Sequence, residues 1–146
     1  MSPKNVILLS CTLAIACPIT AGEPSALKVS EIKVCREMVD RECRGPATSF
    51  KAGTQSVAFF TRVDGATGDG FVEHVWKRDG KEIRRSRLPI KAGSYRAWTT
   101  KRIAGMSGAW KVEVLDPVGR SLGQLDFVVE KGKDAADSKP EVPASE

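Results

Sequence analysis

HVWKRDGKEIRR, residues 74 to 85, holds the chain's one histidine, one of its three tryptophans and five lysines or arginines. Asp79-Gly80 lies between two β-prone runs, which is the strongest short-range signal for a β-hairpin. Register then decides what is inside, because a slip of one residue turns every side chain to the other face. A two-residue turn sets Trp76 opposite Ile83 and His74 opposite Arg85, and neither face is apolar. A three-residue loop, Asp79-Gly80-Lys81, sets Trp76 opposite Arg84, His74 opposite Ser86 and Val72 opposite Leu88. One face then carries Val72, His74, Trp76, Leu88 and Ile90, so this register is the expected one. Trp76 is core on that reading, and His74 lies at the core's margin, neutral and hydrogen-bonded.

The same alternation runs outward from the hairpin. In SVAFFTRV (56 to 63), Val57, Phe59, Thr61 and Val63 share a side. Other short runs are ALKVSEIKV (26 to 34), SYRAWTTKRI (94 to 103), GAWKVEVLD (108 to 116) and GQLDFVVE (123 to 130), with glycine-rich turns between them. The parity of the first changes near Ser30-Glu31, as a bulge would make it. Trp110 is in phase with Val112 and Val114 and faces inward; Trp98, also read as core, shares its face with Arg96 and Thr100. CREMVDREC (35 to 43) reads as a short helix or a connecting loop. Seven strands in about a hundred residues predict an immunoglobulin-like antiparallel β-sandwich, with a small closed barrel as the alternative.

The chain's two ends are of another kind. Lys4 precedes Val6 to Cys17, an uncharged run of twelve residues. At about 1.5 Å per residue it falls far short of a hydrocarbon core roughly 30 Å thick. With small residues at Ala21-Gly22, residues 1–22 read as a secretory signal peptide. Cleavage after Ala21 gives a periplasmic or secreted protein. The stretch Leu13 to Cys17 offers the alternative of a lipoprotein anchored at Cys17, the only route to a membrane. Residues 131–146, with two prolines and little apolar surface, read as a disordered tail. One domain, 25–130, lies between. It keeps Cys35 and Cys43, with seven residues between them; in an exported protein the pair reads as a disulfide, with free thiols as the alternative.

Charge is concentrated. Residues 77 to 102 hold ten basic and two acidic side chains, whereas residues 23 to 130 as a whole are at +5. The expectation is a basic face on adjacent strands of one sheet, made by Arg84, Arg85, Arg87, Arg96 and Lys101, with His74 and Trp98 at its edge. Such a face draws anions, more weakly as salt rises. The partners expected are an anionic envelope glycan or lipid head group, or an envelope protein; outside the cytoplasm nucleic acid is not expected. No serine–histidine–acid order, phosphate-binding loop or zinc spacing occurs, so no enzyme, cofactor or metal is expected.

Three stretches carry a family resemblance. They are His74 with Trp76; Arg96 with Trp98, Thr99, Thr100 and Lys101; and Gly108 with Trp110, Val112 and Val114, followed by Asp116 and Gly119. Together they resemble a bacterial family known as domain of unknown function 2914, over roughly residues 27 to 129. Pro117 after Asp116 departs from its pattern. The resemblance implies an exported or membrane-attached β domain and no particular activity. The expected function is therefore a non-catalytic extracytoplasmic module that binds an anionic envelope component, the alternative being a structural protein–protein interaction module.

Overall fold

The computed structural model describes residues 26–132; the expected signal peptide, the alternative anchor at Cys17 and residues 133–146 lie outside the described residues. Nine strands form two sheets and no helix occurs among the described residues. The first sheet has the order β2 (Glu42–Pro46), β1 (Lys28–Val39), β4 (Ser56–Ala66), β7 (Gly93–Arg102). The second has the order β3 (Ser49–Phe50), β9 (Ser121–Val129), β8 (Gly108–Leu115), β5 (Gly70–Arg78), β6 (Lys81–Ile90). All pairings are antiparallel except that of β3 with β9. The chain is thus a β-sandwich, not a closed barrel. Consecutive strands cross between sheets from β2 to β3, β3 to β4, β4 to β5, β6 to β7 and β7 to β8; repeated crossing of this kind is the habit of immunoglobulin-like folds.

The hairpin has the expected pairs by another route. Val72 pairs Leu88, His74 pairs Ser86 and Trp76 pairs Arg84. The turn itself has two residues, with Asp79 at φ 49° and Gly80 at φ 80°. Both values are those of a type I′ turn, whose twist matches the strands it joins. Beyond it Lys77 pairs Glu82 and Trp76 pairs Arg84, so Ile83 is an extra residue. This bulge, and not a longer loop, restores the register that buries the apolar set. The expected bulge in β1 is also present: Val29 pairs Val63 and Glu31 pairs Arg62, which leaves Ser30 over. Val29 and Ile32 can then both face the other sheet.

Residues 35 to 43 are neither helix nor loop. β1 runs to Val39, turns through Asp40 and Arg41, and returns as β2, with Met38 opposite Cys43. Five charges among nine residues hid the strand, because only one face of this edge hairpin is buried. Cys35 and Cys43 form a disulfide across it, at a Cα separation of 5.6 Å.

The core between the sheets is aromatic. Trp76, at its centre, meets Trp110, Phe127 and Phe59 edge-on at 6.4, 6.3 and 6.1 Å, while Trp110 and Phe127 stack at 5.7 Å. Val57, Phe59, Thr61 and Val63 are all fully buried, as their alternation predicts. A second, smaller cluster lies on the outer face of the four-stranded sheet: Cys35, Ala58 and Phe60, with Met38, Cys43 and Trp98 packed against it. Trp98 therefore belongs to this outer layer and is half-buried, not a residue of the main core.

Candidate functional site

His74 is fully buried, not marginal. Its Nε2 is 3.0 Å from Thr61 Oγ1 and its Nδ1 3.0 Å from Thr99 Oγ1. Trp76 Nε1 donates to Thr99 Oγ1 at 3.1 Å, and Thr61 donates to the Ala97 carbonyl at 3.3 Å. One assignment gives every donor an acceptor within these bonds. The indole N–H donates to Thr99, the Thr99 hydroxyl to Nδ1, Nε2–H to Thr61, and the Thr61 hydroxyl to Ala97. His74 is then the neutral Nε2–H tautomer. Burial alone pushes its pKa from 6.5 to about 3, since nothing beside it compensates a charge in the core. The chain of bonds joins β5 of one sheet to β4 and β7 of the other, and has no surface at which to meet a ligand. His74 is hence no part of a binding face, contrary to expectation.

Nor do the basic residues form one face. β6 is an edge of the five-stranded sheet and β7 an edge of the four-stranded sheet, so a single sheet cannot gather them. Arg85 bonds Glu82 and Glu73, which hold its guanidinium firmly protonated. Arg87 reaches Glu73 at 3.5 Å and lies over the Phe71 ring. Arg84 points to the opposite side and donates to Ser86 and to the Thr100 carbonyl. Lys101 pairs Val57 and is half-buried near the sandwich's end. The sequence records charge; acidic partners on β5 and the crossover to the other sheet disperse it.

Arg96 and Trp98 keep the expected parity, both on the outer face of the four-stranded sheet. A residue the sequence did not reveal joins them there. The β1–β2 hairpin brings Arg41 to a depression of about 290 Å³ that Arg41 shares with Ser94, Tyr95, Arg96 and Trp98. A second depression, of about 220 Å³, is lined by Arg41, Arg96, Phe60, Arg62, Lys33 and Glu31 among others. Glu31 pairs Lys33 and Arg62. The Lys33 hydrogen bond, and then the charges of Lys33, Arg62 and Arg96, hold its carboxyl below the ordinary range. The side chains of Arg41 and Arg96 make no hydrogen bond or ion pair among the described residues; Arg96 acts on Glu31 only at a distance. Arg41 also stands at φ 62°, a left-handed conformation that costs a non-glycine residue roughly 1–2 kcal/mol. Its preceding Asp40 and its place on a hairpin tip gave no motif to find it by.

The fold and this surface define a class: a two-sheet β-sandwich module in which Thr61, His74, Trp76 and Thr99 bond one another between the sheets and unpaired cations flank an aromatic on one outer face. Residues 71–129, from β5 to β9, match the model of the family described as protein of unknown function (DUF2914). The motif residues His74, Trp76 and Thr99 belong, with Thr61, to the buried hydrogen-bond chain, so they report architecture. Two solved structures are similar, a selenomethionine-labelled β-glucosidase from Kluyveromyces marxianus and the same enzyme in complex with glucose. Each has 14% identity, with TM-scores of 0.42 and 0.43, over 72% of this chain and 14% of that one. No curated protein matches. Among the described residues no three histidine, cysteine or acidic side chains are grouped to hold a metal, and no helix is long and apolar enough to cross a membrane.

Proposed function

We propose that the protein is a non-catalytic extracytoplasmic module that binds an anionic envelope component on the outer face of its four-stranded sheet. One observation carries the reading: Arg41 and Arg96 line the same depression as half-buried Trp98, and neither side chain makes an ion pair among the described residues. Unpaired guanidinium groups on a shared concave surface recognise carboxylate, phosphate or sulfate groups by paired hydrogen bonds. The Cys35–Cys43 disulfide, which braces the hairpin bearing Arg41, supports an oxidising compartment. The one histidine that could serve as a general base is enclosed and neutral, which supports a binding role over a catalytic one. Replacing Arg41 and Arg96 together by Ser should abolish salt-sensitive retention on a column of anionic polysaccharide. Replacing Arg85 and Arg87 by Ser should leave it intact, because Glu73 and Glu82 already neutralise that pair. Retention that follows Arg85 and Arg87 instead would end the proposal.

A further inference from the structure

We propose that the depressions flanking Trp98 form a subsite for an acidic sugar chain, its carboxylate held by Arg41 and Arg96 and a ring laid on the indole. The inference rests on the anion-binding reading above and adds the chemistry of the ligand. Trp98 borders two depressions, one of about 290 Å³ with Arg41 and Arg96, the other of about 160 Å³ with Leu88, Pro89, Tyr95 and Arg96. Both lie below the roughly 300–1,000 Å³ of pockets for drug-sized molecules. Each therefore takes one small ring, and a chain of rings can cross the indole from one to the other. The indole is braced from beneath by Phe60, Ala58 and the disulfide, so its flat apolar surface is fixed before a ligand arrives. Such a platform suits the C–H face of a pyranose, which is apolar in the middle and polar at its rim. A bare phosphate would use the arginines and ignore the ring.

A lipid surface fits less well. The exposed large apolar residues among those described are Val39, Ile83, Val118 and Val128. They stand on separate elements, and only Val39, beside Arg41, is near this face. Apart from Val39, no exposed large aliphatic side chain among the described residues accompanies the cations to enter a bilayer. The strained backbone at Arg41 points the same way. Glycine would hold this turn at lower cost, and arginine there places a guanidinium beside Trp98.

The test is tryptophan fluorescence during titration of the mature protein with tri-galacturonate, with its methyl ester as the uncharged control and phosphatidylglycerol vesicles as the lipid control. Tri-galacturonate should bind and perturb the emission, the ester about tenfold or more weakly, in line with the loss of charge-assisted hydrogen bonds. Trp98→Leu, which keeps an apolar cover over Phe60, should lose the fluorescence response and most of the affinity. Arg41→Gly should lose affinity while the protein becomes more stable, which separates binding from folding. Vesicle binding, or tri-galacturonate binding indifferent to Trp98→Leu, would overturn the sugar subsite while leaving the anion reading in place. Failure of every anion to bind would overturn both.

Discussion

Thr99 carries two buried hydrogen bonds on one hydroxyl, accepting from Trp76 and donating to His74. Thr99→Val keeps the shape and removes both, leaving an indole N–H and an imidazole nitrogen without partners. The expected loss is about 2–4 kcal/mol in urea unfolding with an unchanged slope, from two unsatisfied buried groups. Thr99→Ser should recover most of it. A residue-scale prediction about pH follows from His74. Its pKa is depressed in the fold, so the unfolded chain takes up a proton that the native state refuses. The stability it contributes is complete above 6.5 and is lost as pH falls from there toward about 3. The loss is about 1.4 kcal/mol per pH unit once the unfolded histidine is protonated. Glu31, Glu82 and Asp64, whose pKa values are also lowered, add their own losses as pH falls through their ordinary values of 4.5 and 3.8, beginning about one unit above them. Unfolding measured between pH 6.5 and about 5.5 therefore isolates the histidine, and a flat profile there would contradict its enclosure. Parity in the sequence put His74 and Trp76 on the inner face. It could not show the two threonines that meet them, since those come from strands 13 and 25 residues away.

At the scale of the element, Ile83 is the residue left over between two correctly registered halves of the hairpin. Deleting it should preserve every pair from Trp76–Arg84 onward and leave a folded protein. Deleting Ser86 instead should turn Ile90 outward, at roughly 1.5–3 kcal/mol for that side chain alone. Thermal unfolding of the two deletions checks the assignment, and equal damage would refute it. The sequence disclosed the register because apolar residues had to share a face. It did not disclose a two-residue turn plus a bulge, because a three-residue loop gives the same pairing. The β1–β2 hairpin stayed hidden for a different reason. It is an edge element with one buried face, so charged residues dominate its composition and its hydrophobic positions, Cys35, Met38 and Cys43, are few. Replacing both cysteines by Ser should cost about 2–3 kcal/mol on the loop-closure estimate. It should also weaken anion binding, as Arg41 loses its fixed place.

For the whole molecule, the sandwich was legible from the number, spacing and alternation of the strands. The site was legible only in part. Arg96 and Trp98 share a strand and a face, so local parity sufficed for them. Charge density along the chain suggested that β6 and β7 continue one surface, yet the chain crosses between sheets at residues 91 and 92 and sends their arginines in different directions. Arg41 comes to Trp98 from more than fifty residues earlier, a proximity that only tertiary structure creates. On the proposed function, ligand recognition belongs to the outer face of the four-stranded sheet and the core does not take part. The three tryptophans report on this directly through their indole N–H signals in a proton–nitrogen NMR spectrum. On adding tri-galacturonate, the Trp98 signal should shift progressively with concentration while those of Trp76 and Trp110, each bonded within the core, stay fixed. A ligand-dependent shift of Trp76 with Trp98 unmoved would contradict it.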